Sequence, residues 1–587
     1  MKIIKEKENK IDITKPNCLE NYLESLGIKP ENVSSFMDVP KESDLDDYNK
    51  LSDIDKGLKI MKEAVDNNWF IYLQPDCDVD GFSSAAIFYQ YFKLINPNLR
   101  IGYQVHTGKE HGIDLSFIPP ETKLVVIPDA GSMQFEEQQA LLDKGMKVLI
   151  LDHHEMPLVA EKSGLAIINN QSSPEFSNKS LSGSGVTFLF VQAYDCTYEQ
   201  GAIWRRYMDL AALGIISDVM DTRTLGNNYI IYNGLHTIRN TLLQTLLQKQ
   251  SFHIADISRP NKVDIAFYIA PIINGLIRSG TDEEKSIFFR AMRVNNSSEI
   301  IQSTTRGKEH EEVIYDYAVR SAVNAKSRQD SAKKRGSALL NSKIETLHLD
   351  DHKILAVPIS GDELKKVPPS LTGLIAMELL HEYNKPTLVL RQNVDENDNI
   401  IYSGSLRSKE FYGLKSLLQF IADSHYANFV EGHDNAAGIA FSNSNLKSFI
   451  DYADGKLKNV DFSNDYIEVD YWFKNCASQQ VLTPFAKATY LWGSGIPQPK
   501  FAFTFDMDSS EFSFIGANHD TIKFERNGVD FVMFKRPKIV EQLRNSIKDD
   551  ITCVGRAQIN SYNNGVQIII DDIDIKPVEI ESAMDLI

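Results

Sequence analysis

From about Asn68 onward the apolar residues of the chain gather into short runs separated by longer segments of mixed polarity. FIYL at Phe70–Leu73, RIGYQV at Arg100–Val105, KLVVI at Lys123–Ile127 and KVLIL at Lys147–Leu151 are short and mostly rich in β-branched residues, so they predict strands. Residues 83–94 and 135–144 between them carry helical spacing. Strands alternating with helices predict βαβ units, and these require a parallel sheet because parallel neighbours need a long crossover. Apolar helical segments follow at Met208–Ser217 and Asp264–Ile277, and residues 305–342 read as one long basic helix.

A second α/β pattern runs from about Lys353 to Gly455, with strands KILAVPI, PTLVLRQNV and NIIYSGSL around the helices SLTGLIAMELLHEY and GLKSLLQFIA. Beyond 461 the runs become closely spaced strands separated by polar turns, which predicts a small barrel or sandwich. The fold class is therefore α/β with a β-rich C-terminal part. The expected boundaries are an N-terminal extension of short helices at 1–60, a parallel-sheet domain at 61–304, a connecting helix at 305–345, a smaller α/β domain at 346–460 and a β-barrel at 461–587.

Composition narrows the function classes. A length of 587 residues, 42% hydrophobic and 24% charged, suits several globular domains and not a mostly disordered chain. With 62 Lys and Arg against 80 Asp and Glu the net charge is -18, so a nucleic-acid partner requires a local basic groove. Arg320, Lys326, Arg328, Lys333, Lys334 and Arg335, with only Asp330 among them, are the candidate wall of one. The N-terminus lacks the apolar stretch of a secretory signal and no run approaches a membrane span, so the expected location is cytoplasmic. Cys18, Cys77, Cys196, Cys476 and Cys553 are odd in number and lack any CxxC pair, which argues for reduced thiols and no thiolate zinc site.

The strongest chemical signal is Asp76-Cys77-Asp78-Val79-Asp80-Gly81, directly after the strand FIYLQP and before a helix. Ligands of open α/β sheets bind at the carboxyl ends of the strands. The D-x-D-x-D-G opening also fits a calcium loop, but that loop needs a glutamate at its twelfth position, here Ile87, and a helix in front where this chain has a strand. Asp129 follows KLVVIP, Asp152-His153-His154 ends KVLIL, and Asp218 follows LAALGIIS. Single residues of this kind at such ends usually cap or fill a core. Together they surround one cavity, where carboxylates raise one another's pKa unless divalent cations intervene. A mixed oxygen and nitrogen set suits manganese or magnesium.

These residues, in this order, resemble the four motifs of the DHH phosphoesterase superfamily. LSGSGVTFLF at Leu181–Phe190, PIINGLIRSG at Pro271–Gly280, SGSLRS at Ser403–Ser408, GHDNAAG at Gly432–Gly438, TPFAKATYLWGSGIPQPKFAF at Thr483–Phe503 and GRAQINSYNNG at Gly555–Gly565 resemble segments of RecJ, a single-stranded-DNA-specific exonuclease with DHH, DHHA1 and OB-type domains. The likeness spans roughly residues 65 to 580. It implies Asp76, Asp78, Asp129, His153 and Asp218 as ligands of two divalent ions, Mn²⁺ or Mg²⁺. It places His154 near the scissile phosphate and makes Asp152 the orienter of the histidines; Asp80, the third carboxylate of its motif, is a candidate catalytic acid ranked below Asp76 and Asp78. Ser405, Arg407 and Ser408 match the terminal-phosphate site, and Arg278, Gly432 and His433 match positions lining the nucleotide site. The implied activity is 5′→3′ hydrolysis of single-stranded DNA to mononucleotides by a monomer, with a single-strand-binding protein or a helicase as partner.

The chain departs from the family pattern at Glu431, where a glycine is usual, at Asn274–Arg278 in place of an NAAGR-like run, and at Asp221, where proline is common. Two other functions fit the same motifs: a DHH phosphodiesterase acting on short oligonucleotides or small nucleotides, and a non-catalytic, Cdc45-like replication scaffold. Phe501, Phe503, Phe505, Phe512, Phe514 and Phe524 alternate along strands, as barrel-core residues do and as base-stacking platforms also would.

Overall fold

The structure, a computed structural model, describes residues 3–8, 12–106, 111–158, 160–305, 307–395, 398–411, 413–462, 466–475, 477–544, 548–560 and 563–577. Cys476 and residues 561–562 of the GRAQINSYNNG segment lie outside them. Backbone contacts divide the chain into two bodies, residues 324–467 with 1–4, and residues 5–323 with 468–587. No described helix is long and apolar enough to cross a membrane.

The larger body is built on five parallel strands, β1 (Phe70–Leu73), β2 (Arg100–Tyr103), β3 (Leu124–Pro128), β4 (Lys147–Asp152) and β5 (Leu165–Asn169), in the order β2-β1-β3-β4-β5. Four match the sequence pattern; β5 does not. The helix α1 (Val79–Ile95) joins β1 to β2. Strands β3 and β5 are buried along their whole length and β4 from its second residue, because helices cover both faces. Val125, Ile127, Val148 and Ile150 meet Leu141 of α2 (Phe135–Asp143) on one face. On the other, Leu149 and Ile168 close over Gly57 of the helix Ile54–Asp66 together with Phe190 of α3 (Gly183–Thr197). The strand order reverses between β1 and β3, and open α/β sheets bind their ligands at such a switch point. The acidic segment after β1 and Asp129 after β3 flank it.

The N-terminal extension packs on the C-terminal part. Cys18, Leu19, Tyr22, Leu23 and Phe36 share one core with Phe485, Trp492, Phe501 and Phe531 of the C-terminal part, and Tyr22 donates its hydroxyl to the Pro497 carbonyl at 3.0 Å. That part forms a seven-stranded sheet in which Tyr471–Lys474 and Phe501–Asp508 pair in parallel and the long strands Lys548–Ile559 and Val566–Pro577 are antiparallel with a bulge at Val554/Gly555. It is a β-rich, OB-like element. Phe501, Phe503, Phe505, Phe512 and Phe524 are all buried, so the alternating row is core; Phe514 is partly buried under the Arg544 guanidinium.

The smaller body carries a five-stranded sheet with Phe429–His433 at one edge, then Ala436–Ser442, Ile400–Arg407, Thr387–Val394 and Leu355–Ile359, mixed in direction. The connecting helix starts later than expected, at Ile314, and runs to Leu347; a β-hairpin of Ile300–Thr305 and Lys308–Val313 precedes it. Its basic run is partly neutralised. Arg320 pairs with Glu312, Lys326 with Asp330, and Lys333 with Glu378 at 3.4 Å.

Candidate metal centre

Each acid of the site is placed by the end of a regular element. Asp76 follows β1. Asp78 caps α1, its carboxylate accepting the Gly81 N–H at 2.9 Å, and Asp80 lies in the first turn, where the helix dipole favours negative charge. Asp129 follows β3 with φ of +68°, its N–H donating to the Leu151 carbonyl at 2.7 Å. A non-glycine residue held in that region stores strain and persists only where its surroundings dictate it. Asp152 ends β4 and is followed by His153 and His154, and Asp218 closes α4 (Met208–Ser217).

These ends converge. Carboxylate oxygens of Asp76, Asp78 and Asp129 lie within 4.8 Å of one another, as do ligand atoms of Asp80, His153 and Asp218, and of Asp129, His153 and His154. The His153 Nε2 is 3.3 Å from Asp129 and 3.5 Å from Asp218. The Asp80 carboxylate accepts bonds from the Ser182 hydroxyl at 2.9 Å and the Ser184 N–H at 3.1 Å, both through Oδ1. Its Oδ2 and the Asp129 Oδ1 are buried and have no hydrogen-bond partner among the described residues. Asp80 thus lies within ligand distance of His153 and Asp218.

Three glycines shoulder the acids. A Cβ on Gly81 would lie 2.7 Å from the Asp76 Cβ, one on Gly183 2.3 Å from the Asp129 Oδ1, and one on Gly214 2.1 Å from the Asp80 Oδ1. Helices α1, α3 and α4 thus reach the acids only because these positions carry no side chain.

The electrostatics are those of carboxylates crowded together and buried. Burial, then the neighbouring carboxylates led by Asp80, pushes Asp78 up to about 6, Asp218 up to about 8 and Asp129 well above the usual range. Burial also lowers His153, which favours the neutral imidazole that ligates metals. His154 behaves oppositely. Its Nδ1 is 2.7 Å from the Asp152 Oδ1, and that hydrogen bond holds the imidazole up to about 9. Asp152 feels burial pushing it up, but bonds from His154 and Ser132 and both histidines' charges keep it below the usual carboxylate range. It also accepts the His153 and His154 N–H groups at 2.7 and 3.2 Å, which fixes the turn carrying both rings.

Some participants are not evident in the sequence. His111 Nδ1 is 2.9 Å from the Asp76 Oδ2, and the Gly112 N–H donates to the same carboxylate at 3.0 Å. Nothing marks His111 in the sequence, since it belongs to no strand end, whereas Ser182 and Ser184 stand in the quoted LSGSG run. Arg278 is exposed and its charge acts on Asp78. The unusual Asp221 is turned to Arg223, which grips it through Nε at 2.9–3.0 Å and holds it below the usual range against burial.

The remaining predicted residues belong to the smaller body. Ser405 and Arg407 are two apart on one strand and so share a face, Ser405 Oγ lying 2.9 Å from the Thr372 hydroxyl at the start of the helix Thr372–Tyr383. Ser408 is buried, and its N–H donates to the Asn435 carbonyl at 2.9 Å. Across the sheet, Arg407 pairs with Ala436 and Ala436 with His433; Ser405 pairs with Gly438 and Gly438 with Glu431. One face thus carries an Arg407–His433 row beside a Ser405–Glu431 row, with only alanine and glycine between. Gly432 is required by its φ of +137° and by Ala437, whose Cα a Cβ would meet at 2.8 Å.

Known proteins agree with this architecture. Residues 68–215 match the model of the DHH family, N-terminal domain. A Bacillus subtilis (strain 168) protein whose name places it among single-strand DNA-specific exonucleases, the SPbeta prophage-derived YorK, is 33% identical over 93% of each chain. The single-stranded-DNA-specific exonuclease RecJ of Haemophilus influenzae is 22% identical over 90% of this chain and 91% of its own. The crystal structure of RecJ from Thermus thermophilus in complex with Mn²⁺ superposes with a TM-score of 0.68 at 17% identity, covering 99% of this chain and 80% of that one. Acids at the switch point, the shared motifs and a likeness running nearly end to end lead to one conclusion: the chain belongs to the RecJ-like group of the DHH family.

Proposed function

We propose that this protein is a metal-dependent exonuclease that hydrolyses single-stranded DNA from the 5′ end to mononucleotides, using two divalent ions. The observation that carries the reading is a buried group of carboxylates that raise one another's pKa, with Asp80 Oδ2 and Asp129 Oδ1 making no hydrogen bond among the described residues and the latter 3.3 Å from the His153 Nε2. A donor set of carboxylates and one neutral imidazole, with no thiolate, fits Mn²⁺ or Mg²⁺. Asp76, Asp78 and Asp129 would hold one ion, and Asp80, His153 and Asp218 the other, with Asp129 in reach of both groups. Such ions supply Lewis acidity for a phosphodiester and for the attacking water.

The chain's own residues do the rest. His154, protonated and anchored through Nδ1 to Asp152, presents its Nε2–H as a donor to a phosphate oxygen. Arg278 offers a planar fork on the Asp78 side. Ser405, Arg407 and Ser408 would hold the 5′-terminal phosphate, and Glu431 in the Ser405 row weakens that hold by like charge. The relatives' names support single-stranded DNA as the substrate.

Digestion of strands labelled at either end tests the reading. With Mn²⁺, a 5′ label leaves at once as mononucleotide, and chelator abolishes release. Arg407→Ala reduces the preference for a 5′-phosphate over a 5′-hydroxyl by roughly ten- to a hundred-fold, the loss of one charge-assisted fork. Early release of a 3′ label, cutting of a circular strand, or full activity in chelator overturns it.

A further inference from the structure

A cavity of about 710 Å³ opens in the larger body at the opposite end of α1 from the acids. The acids cluster at the start of that helix, while the cavity is lined by its last turns from Tyr89 onward, roughly 15–20 Å further along the axis. Lys93, Arg206, Arg239 and Arg293 line it, and among the described residues no acidic one does. None of the four is paired with a carboxylate among the described residues. Lys93 donates to the Leu99 carbonyl at 3.0 Å. The Arg293 guanidinium lies 4.3 Å from the Tyr89 ring centre and 4.8 Å from that of Tyr103, and its Nε is buried without a partner. Arg206 and Arg239 are exposed.

The walls are fixed before any ligand arrives. The buried Asp209 carboxylate accepts the N–H groups of Arg239 and Asn240, both at 2.7 Å, and Asn240 donates to the Met292 carbonyl at 2.8 Å. Asn295 accepts the Thr241 N–H at 3.1 Å and donates to Gln90 at 2.8 Å. These bonds tie α1, the turn at Arg239 and the segment after Arg293 into one frame.

In a chain of net charge -18, four cations on an acid-free concave surface focus a positive potential. Arginine forks match phosphate oxygens, and the volume lies within the range of small-molecule sites. Side-chain amides beside Leu94 and Ile238 offer both polar and apolar contact for the remainder of a ligand. We infer that this cavity is a second, non-catalytic site for a phosphorylated small molecule of nucleotide size. The inference does not depend on the proposed nuclease activity.

Calorimetric titration with deoxyadenosine monophosphate in chelator, on the full chain carrying Arg407→Ala so that the proposed terminal-phosphate site does not contribute, tests it. The expected result is saturable 1:1 binding, weakened at least about tenfold in Arg206→Gln/Arg239→Gln, displaced by pyrophosphate and not by a single-stranded decamer. Both substituted residues are exposed, so the double variant keeps the parental melting curve and, with Mn²⁺, the parental rate on single-stranded DNA. Absence of saturation, or affinity unchanged in the double variant, overturns the inference. Displacement by the decamer, or loss of nuclease rate in the double variant, also overturns it by assigning the cavity to the DNA path.

Discussion

Substituting Gly183→Ala should separate the placing of Asp129 from the stability of the fold. The added Cβ would sit 2.6 Å from the Asp129 Cβ and 2.7 Å from its Cγ, whereas carbon atoms pack at about 3.5–4.0 Å, so the carboxylate must retreat by roughly 1 Å. Overpacking of this kind costs about 1–3 kcal/mol, partly offset by the 0.5–1 kcal/mol that alanine typically gains over glycine in a helix. The net loss of stability should be about 1–2 kcal/mol. The functional loss should be larger, because a displacement of about 1 Å in a catalytic group can cost on the order of a hundredfold in rate. Gly185→Ala is the matched control. Its Cβ would meet the Leu181 Cδ1 at 2.3 Å, which disturbs packing in the same helix without touching an acid. Thermal unfolding, Mn²⁺ titration and nuclease rate would be measured on both. Near-parental metal affinity and rate in Gly183→Ala, or equal functional losses in the two variants, would refute the reasoning.

Two further outcomes follow from buried or tethered charges. Burial pushes the Lys262 amine down to about 7, and the amine donates to the Thr222 hydroxyl at 3.3 Å. Its unfolded pKa lies near 10.4, so the unfolded chain binds more protons between about pH 7 and 10 and stability rises with pH across that window. Lys262→Met should therefore stabilise by up to roughly 4 kcal/mol at or below pH 7, with the gain fading toward pH 10 in denaturant titrations; a pH-independent difference would count against it. In chelator, the His154 ring followed by NMR should titrate near 9, and Asp152→Asn should move its midpoint down toward the ordinary histidine range, since the bond to Asp152 is the largest cause of the shift. An unmoved midpoint would remove Asp152 as the orienting group.

Where local pattern decides structure, the sequence is sufficient. Phe70–Leu73 is legible to the residue, and the other three strands expected in the first sheet to within two, because buried parallel strands are short apolar runs bounded by turns. Leu165–Asn169 escapes because nothing around it repeats the strand–helix rhythm. The hairpin at Ile300–Val313 merges into the long helix because one of its strands, KEHEEV, is largely charged. In the site, every acid at an element end is legible. The grouping of Asp80 with His153 and Asp218 is not, since it depends on α3 and α4 folding back onto α1. Gly183 and Gly214 cannot be read for the same reason: each matters only for an acid more than fifty residues away. The arginines around the second cavity come from three separated segments and make no motif at all.

The shared core of the N-terminal helices and the C-terminal sheet gives the larger body a timetable. Tyr22 and its acceptor Pro497 are 475 residues apart in the chain. At roughly 5–20 residues per second, a ribosome that has released Leu23 and Phe36 needs some 25 to 95 seconds more before their packing partners emerge. Through that interval these residues lack the C-terminal side of their core, while the parallel sheet, whose last strand ends at Asn169, is completed well before those partners emerge. A nascent chain stalled near residue 330 should therefore hold a protease-resistant sheet with a cleavable N-terminal tail, and the tail should become resistant only once synthesis has passed the final strands.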